Sequence, residues 1–538
     1  MMKKIKYFIF LIAVLAGGAC HVASADDDVA SAQKIKAAVM QVYDEALAEN
    51  PGDYGTRFAR AMQHYYNGNF AASLSDVNTA IEQIPEKEKS LLYDALILRS
   101  KLLDAQGKLS DEQADLKRAF EINPSNLSGV DMIAKLALKE NDLTTAENNF
   151  NVILRQSPQN YDALYGLAQV AVLRSDFTKA QSYVDDAVKL FPAESQVYVN
   201  RADIFNKMGQ YKVAAQDLIL AMSVGGSGGN GAVPALYAMA DNHYDEVMDA
   251  LQHSIDNAPR QGGFYYLRAN IAKDHFHYAQ ALKSLKQIID NKFYDDASIY
   301  FDAAVCEFEL TQFDAALASI NKALSLDAKN VDAYVLKSRI LRNLKTANFK
   351  AAVATLAQGE KLKAGYAPLL MERARLQVAQ RQNEEAVATL NQIIKTQPTH
   401  NEALLLRGFI YKYRLNNSEA ALADFGMMLK SGTDMKSLQG FALHELGRDD
   451  DARKWAQDQI TATKLIGGEA YVYASSLLSD IGDNDQALKY LESALANGYG
   501  SLFEVKVNED PYVNLKLVRR HSDFEVTISR NQANFEVK

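Results

Sequence analysis

The sequence has few of the residues that interrupt or cross-link a fold. Its 538 residues include only 10 prolines, 2 cysteines and 1 tryptophan. Few prolines favour a helical chain, because proline breaks helices in their interior. Cys20 lies in an N-terminal segment that is typical of an export signal, so Cys306 would be the only cysteine of the mature protein. An internal disulfide is then excluded, and packing alone has to stabilise the fold.

Positive charge is also in short supply. The chain carries 58 lysines and arginines against 67 aspartates and glutamates, which gives a net charge of −9. Proteins that bind nucleic acid gain much of their affinity by neutralising phosphates with basic side chains. The charge balance therefore argues against a nucleic-acid partner.

The N-terminal segment over 1–25 has the organisation of a secretory signal. Lys3, Lys4 and Lys6 precede an apolar run over residues 7–16, which is too short to span a membrane. Cleavage after Ala25, at the end of an A-x-A site, is the favoured interpretation. The alternative is lipidation at Cys20, although Leu15 lies further from the cysteine than in a usual lipoprotein box. Both interpretations predict an exported, periplasmic or outer-membrane-associated protein, with a net charge that falls from −9 to −12 as three lysines are lost.

Beyond the signal, an internal repeat organises the chain. The prolines that mark it are Pro51, Pro85, Pro124, Pro158, Pro192, Pro259 and Pro398. The first five follow one another at nearly equal steps, and the last two fall near the same lattice. A regular step of roughly 34 residues is typical of repeat architectures, in which each unit is one supersecondary element.

The unit over residues 161–194 shows what the repeat encodes. Small residues occupy its positions 8, 20 and 27, as Ala168, Ala180 and Ala187, and larger apolar residues lie one helical turn away. Small residues allow two helices, and then the next pair, to approach closely. One helical hairpin cannot bury its apolar faces alone, so several hairpins have to stack.

This pattern resembles the tetratricopeptide repeat family, whose units are helical hairpins of the same period. The resemblance implies an all-α fold, a right-handed superhelical solenoid, with about twelve units and an N-terminal half unit near residues 29–50. We expect an N-terminal block over 29–224, a C-terminal block over 232–497 and a capping segment over 498–538, because a terminal repeat has an open apolar face.

Between the two blocks lies a glycine-rich stretch at 225–231, "GGSGGNG", which matches two enzymatic motifs. It contains both G-x-G-x-x-G and G-x-S-x-G. Either motif requires a β-strand directly before it, whereas residues 211–224 form the second helix of a repeat. The stretch replaces the proline found at other repeat junctions. We therefore interpret it as a flexible joint between the blocks.

A basic residue recurs at position 7, and in three units an aspartate follows sixteen positions later. These pairs are Arg60 with Asp76, Arg99 with Asp115, and Arg201 with Asp217. Positions 7 and 23 lie on partner helices of one hairpin, so an ion pair across each hairpin is expected. We interpret the pairs as structural.

Residue patterns for catalysis or metal binding are weak. His275 and His277 could suggest a metal, but no spaced set of further ligands lies nearby, and the two fall at a turn between helices. No nucleophile, base and acid occur in a recognisable arrangement. The sequence predicts no enzyme activity, no metal and no cofactor.

The resemblance implies that positions 2, 5, 9 and 12 of each first helix line an inner groove that binds partner peptides. Positions 5, 9 and 12 share one helical face. The groove residues predicted in the central units are Tyr266, Asn270, Lys273, Phe301, Arg339, Arg342, Arg375, Phe409 and Lys412. Their aromatic and basic character predicts a protein or peptide partner with apolar and acidic groups.

These features predict an exported scaffold of the cell envelope that binds partner proteins or peptides. The alternative is a glycan-binding accessory lipoprotein of an outer-membrane uptake system. That function would need exposed tryptophans for stacking on sugars, and Trp455 is the only tryptophan.

Overall fold

The computed structural model of the protein describes residues 25–225, 229–344, 346–430, 438–462, 468–507, 509–510 and 513–537. The chain divides into two compact units, residues 1–192 and 193–538. Residues 1–24 of the predicted signal segment 1–25, with Cys20, lie outside the described residues. Among the helices within them, none is both long and apolar enough to cross a membrane.

The first unit consists of a leading helix and four helical hairpins. Its helices are α1 (Ala25–Glu49), α2 (Tyr54–Tyr66), α3 (Phe70–Gln83), α4 (Lys89–Asp104), α5 (Leu109–Ile122), α6 (Leu127–Lys139), α7 (Leu143–Gln156), α8 (Tyr161–Leu173) and α9 (Phe177–Leu190). From α2 onward the helices pack in consecutive pairs.

The second unit contains nine hairpins in its described parts. They are formed by α10 (Ser195–Lys207), α11 (Tyr211–Val224), α12 (Gly229–Ala240), α13 (Tyr244–Asn257), α14 (Gly262–Asp274), α15 (Tyr278–Asp290), α16 (Ala297–Glu309), α17 (Phe313–Leu326), α18 (Val331–Asn343), α19 (Phe349–Leu362), α20 (Ala367–Ala379), α21 (Asn383–Thr396), α22 (Asn401–Tyr413), α23 (Ser418–Met428), α24 (Gln439–Glu445), α25 (Asp449–Ala462), α26 (Glu469–Ile481) and α27 (Asn484–Ala496). The predicted all-α solenoid of stacked hairpins is confirmed within each unit.

Short turns with a fixed backbone geometry join the helices of each hairpin. In the hairpin of α8 and α9, Ser175 has φ 61° and Asp176 caps the second helix by accepting from the backbone N–H of Lys179. The same left-handed position is held by Gly209 in the next hairpin and by Arg381 between α20 and α21. Such a residue reverses the chain within two or three positions, which keeps the two helices adjacent.

The small residues of the repeat lie where the helices approach most closely. Ala168 and Ala180 are fully buried, and Ala187 is 4% exposed. Gly166 faces the ring of Phe150, and a Cβ added to it would lie 2.2 Å from a ring carbon. Close packing of this kind accounts for the alanine and glycine pattern of the sequence.

The predicted ion pairs across the hairpins are present. Each arginine donates two hydrogen bonds to its aspartate, at 2.7 Å in the Arg60 and Arg201 pairs and at 2.5 and 2.6 Å in the Arg99 pair. Arg407 forms a fourth pair, with Asp424, at 2.5 and 2.9 Å. Sequence spacing missed it because one extra residue in that turn makes the separation seventeen. All four carboxylates are buried.

The glycine stretch differs in part from the expected junction. Helix α12 begins at Gly229, so the end of the stretch is helical, and α12 packs on α11. Residues 226–228 lie outside the described residues. The flexible joint therefore stays a prediction, and the boundary between the two compact units falls elsewhere, between residues 192 and 193.

The C-terminal segment follows the last hairpin. It contains α28 (Leu502–Lys506), a short antiparallel pair of strands, β1 (Glu509–Asp510) and β2 (Val513–Asn514), a 3₁₀ turn (Val518–Arg520), α29 (Phe524–Arg530) and a second 3₁₀ turn (Gln532–Asn534). Leu515, Val518 and Phe524 share a core with Leu488 and Leu491 of α27. This part of the segment covers the last hairpin.

Candidate functional site

The predicted groove residues of the later repeats lie around two neighbouring cavities on the first helices α18, α20 and α22. Arg339 and Arg375 line the smaller cavity, of about 220 Å³. Arg342, Arg375 and Phe409 line the larger one, of about 1060 Å³. The structure therefore brings four of the nine predicted residues together.

The other five predicted residues lie outside the two cavities. Tyr266 donates a hydrogen bond to Asp302, and Phe301 packs beside the buried core around Phe308. Asn270 is partly buried on α14. The remaining two, Lys273 and Lys412, form ion pairs with carboxylates of the following repeats.

Pairing between repeats is the general rule for the predicted basic residues. The ion pairs are Lys273 with Asp302 at 2.5 Å, Arg339 with Glu309 at 3.9 Å, Arg342 with Glu372 at 2.9 Å, Lys412 with Glu445 at 2.7 Å, and Arg375 with Glu402. Each pair joins first helices of adjacent repeats. The basic set is therefore compensated by acids, which the sequence pattern of a single helix face does not reveal.

Two further arginines line the larger cavity without such compensation. Arg381 lies in the turn after α20, with φ 62°, and Arg414 directly follows α22. Both are exposed, and neither has an ion-pair partner within the described parts of the chain. They fall at positions 15 and 14 of their units, respectively, outside positions 2, 5, 9 and 12, which predict the groove. Their charge is available to an incoming carboxylate.

The rest of the larger cavity combines apolar and amide groups. Val378, Ile410, Phe409 and Tyr413 provide the apolar lining. Asn343 and Asn383 add side-chain amides at its edge. Apolar walls with a few polar groups are typical of ligand sites.

One wall of this cavity comes from the C-terminal segment. Phe503 and Val507 line it together with the repeats. The ring of Phe503 lies 4.4 Å from that of Phe308, measured between centroids, and the guanidinium carbon of Arg339 lies 4.9 Å from the Phe503 centroid. The repeat pattern predicts only a capping role for residues 498–538 and gives no sign of this contact.

Two carboxylates, those of Glu309 and Glu504, lie near Arg339. Ser501 donates to Glu309 at 2.5 Å, and Tyr499 donates to Glu504. Burial raises the pKa of Glu309, and burial together with the charge of Glu309 raises the pKa of Glu504 to about 7. Arg339 opposes both shifts by attraction, but one cation faces two acids.

His275 and His277, the possible metal ligands of the sequence, instead contact neighbouring residues at a turn. The Nδ1 atom of His275 lies 2.8 Å from the carbonyl oxygen of Ile271, and His277 stacks on Tyr244 with centroids 4.2 Å apart. Burial lowers the pKa of His277 to about 4. No cluster of three or more metal-binding side chains occurs among the described residues.

Trp455 bears on the glycan alternative. It is 6% exposed and packs edge-on against Phe441, with centroids 6.4 Å apart. Stacking on a sugar requires an exposed ring, so Trp455 does not provide that platform. No observation therefore favours glycan binding.

Comparisons with known proteins point to one family. Profiles described as "Tetratricopeptide repeat" match residues 137–204, 266–333 and 371–426. The chain is 22% identical over 304 residues to DnaJ homolog subfamily C member 3 of Rattus norvegicus, a match that covers 51% of this chain and 56% of that protein. It is 28% identical over 137 residues to cellulose synthase operon protein C of Pseudomonas fluorescens, covering 24% of this chain and 11% of the relative. The chain thus spans little more than half of the relatives' length at most.

A solved tetratricopeptide repeat protein from Parabacteroides merdae aligns with 53% of this chain and 98% of its own, at 16% identity and a TM-score of 0.28. The profile matches agree with the stacked hairpins, the small residues at their contacts and the regular period. Repeats of this kind form protein-interaction scaffolds. The chain belongs to the tetratricopeptide repeat family.

Proposed function

We propose that the protein is an exported, non-catalytic scaffold that binds a protein or peptide partner in the larger cavity. The observation that carries this proposal is the cavity itself, about 1060 Å³ in volume, with an apolar lining and two uncompensated arginines. Phe409, Arg342 and Arg375, expected from the repeat pattern, supply part of its wall.

The partner that suits this site has an apolar side chain next to one or more carboxylates. Phe409 and Tyr413 offer aromatic surface, which gives much of the binding energy in peptide sites. Arg381 and Arg414 can each donate paired hydrogen bonds to a carboxylate. Arg342 and Arg375 are already held by Glu372 and Glu402, so they shape the site more than they attract charge.

The proposal is tested by exchanging the sign of the two free charges. The full chain carrying both Arg381→Glu and Arg414→Glu is compared with wild type in affinity purification from a cell-envelope extract, with quantitative mass spectrometry. The matched control carries Arg118→Glu and Arg155→Glu, two exposed arginines of the first unit. We expect a partner to be depleted by the first pair of changes and retained by the control. Equal recovery from both variants would refute the assignment of the site.

Export is supported by the basic and apolar organisation of residues 1–25. We propose cleavage after Ala25, with lipidation of Cys20 as the other outcome. Fatty-acid labelling of wild type and Cys20→Ala distinguishes them, because only a lipidated cysteine gives a signal that the substitution removes. Recovery of unprocessed protein in the cytoplasm would contradict export.

A further inference from the structure

The segment over residues 498–507, which we call the tail segment, docks on repeats far from the hairpin that it follows. The backbone N–H of Gly500 donates to the carbonyl of Phe276 at 2.9 Å, and Tyr499 stacks on the Phe276 ring with centroids 5.4 Å apart. Phe503 then packs against Phe308 and Phe313. The tail segment therefore contacts the turn after α14 and the end of α16.

The close contact of the tail segment with the repeats requires glycine at two positions. A Cβ on Gly498 would lie 2.2 Å from the His277 ring, and one on Gly500 would lie 2.6 Å from the carbonyl oxygen of Phe276. Gly498 also has φ 86°, a conformation that other residues adopt at a cost. The two glycines allow the backbones to approach closely enough for the hydrogen bond. A cap that only covered the last hairpin would not need this fit.

We infer that the tail segment is a wall of the partner site, so that docking of the tail and binding of an acidic, apolar peptide are coupled. This inference rests on the proposed function and adds the part of the site that regulates it. Phe503 and Val507 border the larger cavity beside Phe409 and Arg342. A peptide that contacts both the repeats and the tail segment binds only the docked state fully, and by linkage it stabilises docking in return.

Protonation of Glu504 regulates docking of the tail segment. Glu504 is faced by the acids Glu309 and Glu469, by Arg339, and by the hydroxyl of Tyr499, with Tyr278 and Tyr473 buried alongside. Burial disfavours the ionised form most strongly and the charge of Glu309 adds to this effect, so the pKa of Glu504 rises from its ordinary value of 4.5 to about 7, although Tyr499 and Arg339 oppose the shift. A raised pKa in the docked state means that docking is fully stabilised below pH 4.5 and weakens as the pH rises through 7.

The coupling is tested by fluorescence anisotropy with a defined probe. The probe is a fluorescein-labelled peptide of alternating glutamate and phenylalanine, and a lysine–phenylalanine peptide of the same length controls for charge. Val507→Glu places a like charge on the tail wall, at a residue already 38% exposed, so folding is not at risk. Val526→Glu, at a residue 48% exposed on α29, is its matched control. We expect Val507→Glu to weaken binding of the acidic probe roughly three- to tenfold and Val526→Glu to leave it unchanged.

The outcomes separate the two proposals. If the acidic probe fails to bind, or binds equally well after Arg381→Glu and Arg414→Glu, the proposed function is wrong. If it binds in an arginine-dependent manner but Val507→Glu and Val526→Glu behave alike, the site stands and the tail wall is refuted.

Hydrogen exchange of residues 498–507 tests the pH dependence without a ligand. We expect the protection factors of wild type to fall about tenfold between pH 6 and pH 8, after correction for intrinsic exchange, because Glu504 ionises over this range. Glu504→Gln should hold them constant. Gly500→Ala, which crowds the Phe276 carbonyl, should lower protection at both pH values. Protection in wild type that does not change with pH would overturn the regulatory part of the inference.

Discussion

Arg339 lies against Phe503, with its guanidinium carbon 4.9 Å from the ring centroid, and the same carbon lies 4.5 Å from the Phe308 ring. One cation of the repeat groove is therefore covered by two aromatic rings, of which one belongs to the C-terminal segment. Interactions of this type contribute on the order of 1–2 kcal/mol when partly desolvated. The contact explains why Arg339, predicted as a groove residue, is poorly placed to bind a free ligand.

Truncation of the aromatic ring should reveal how much the tail contact stabilises the second unit. Phe503 is 2% exposed, so Phe503→Ala should lower the free energy of unfolding by about 3 kcal/mol through lost burial and the cavity left behind. Urea denaturation measures this change. Phe177→Ala, at a ring 45% exposed, is the control and should cost less than about 1 kcal/mol by the same measurement. Similar costs for both variants would mean that the tail contact is not formed in solution.

We predict that the ion pairs across the hairpins contribute to the free energy of unfolding. The Asp115 side chain is only 6% exposed, so Asp115→Asn leaves the Arg99 guanidinium without its carboxylate and should destabilise the chain by about 2 kcal/mol. Asp186→Asn serves as the control, because Asp186 and Lys189 are 50% and 74% exposed and such pairs contribute little. Thermal denaturation of both variants compares the two. An Asp115→Asn protein as stable as wild type would contradict a structural role.

Glycines in the helices should respond in opposite directions to alanine. Gly166→Ala pushes a methyl group against the Phe150 ring and should cost about 2 kcal/mol. Gly426, in α23, has no neighbouring atom within 4 Å of an added Cβ, so Gly426→Ala should stabilise the protein by about 0.5–1 kcal/mol through helix propensity. Chemical denaturation of the two variants measures both changes in the free energy of unfolding. A stabilising Gly166→Ala would show that the helices are further apart than described.

Substitution of Arg381 should change stability and partner binding in opposite directions. Its left-handed backbone, with φ 62°, disfavours any side chain, so Arg381→Gly should raise the free energy of unfolding by about 1 kcal/mol. The same substitution removes one of the two free charges of the larger cavity and should weaken partner binding. Denaturation and affinity purification, run on one preparation, test both halves. Lower stability combined with unchanged binding would contradict both the backbone argument and the site.

The repeat architecture could be predicted because each hairpin is nearly complete within a single repeat unit. Ala168 and Ala180 are fully buried at the helix contacts, as the pattern indicates, and Arg99 reaches Asp115 because both belong to one hairpin. The pair of Arg407 and Asp424 was missed only because the turn gains one residue. Contacts within a repeat follow from spacing alone.

The candidate site could be predicted only in part. A helical face identifies Arg342, Arg375 and Phe409 as groove residues, and they do line one cavity. Arg381 and Arg414 could not be predicted in this way, since turn positions lie outside the helical period. The helical face also gives no sign that Glu372 of the next repeat compensates the charge of Arg342.

The residue pattern alone predicts the hairpins, their stacking and three of the four ion pairs inside them, because these are local contacts repeated with a fixed period. The contents of the groove depend instead on contacts between separate repeats and with the C-terminal segment. The contact of Phe503 with Phe308 and the hydrogen bond from Gly500 to Phe276 join residues that no period relates, and the groove cations pair with carboxylates of neighbouring repeats. Their geometry depends on how successive hairpins rotate against one another, a sum of small packing differences that no single repeat encodes.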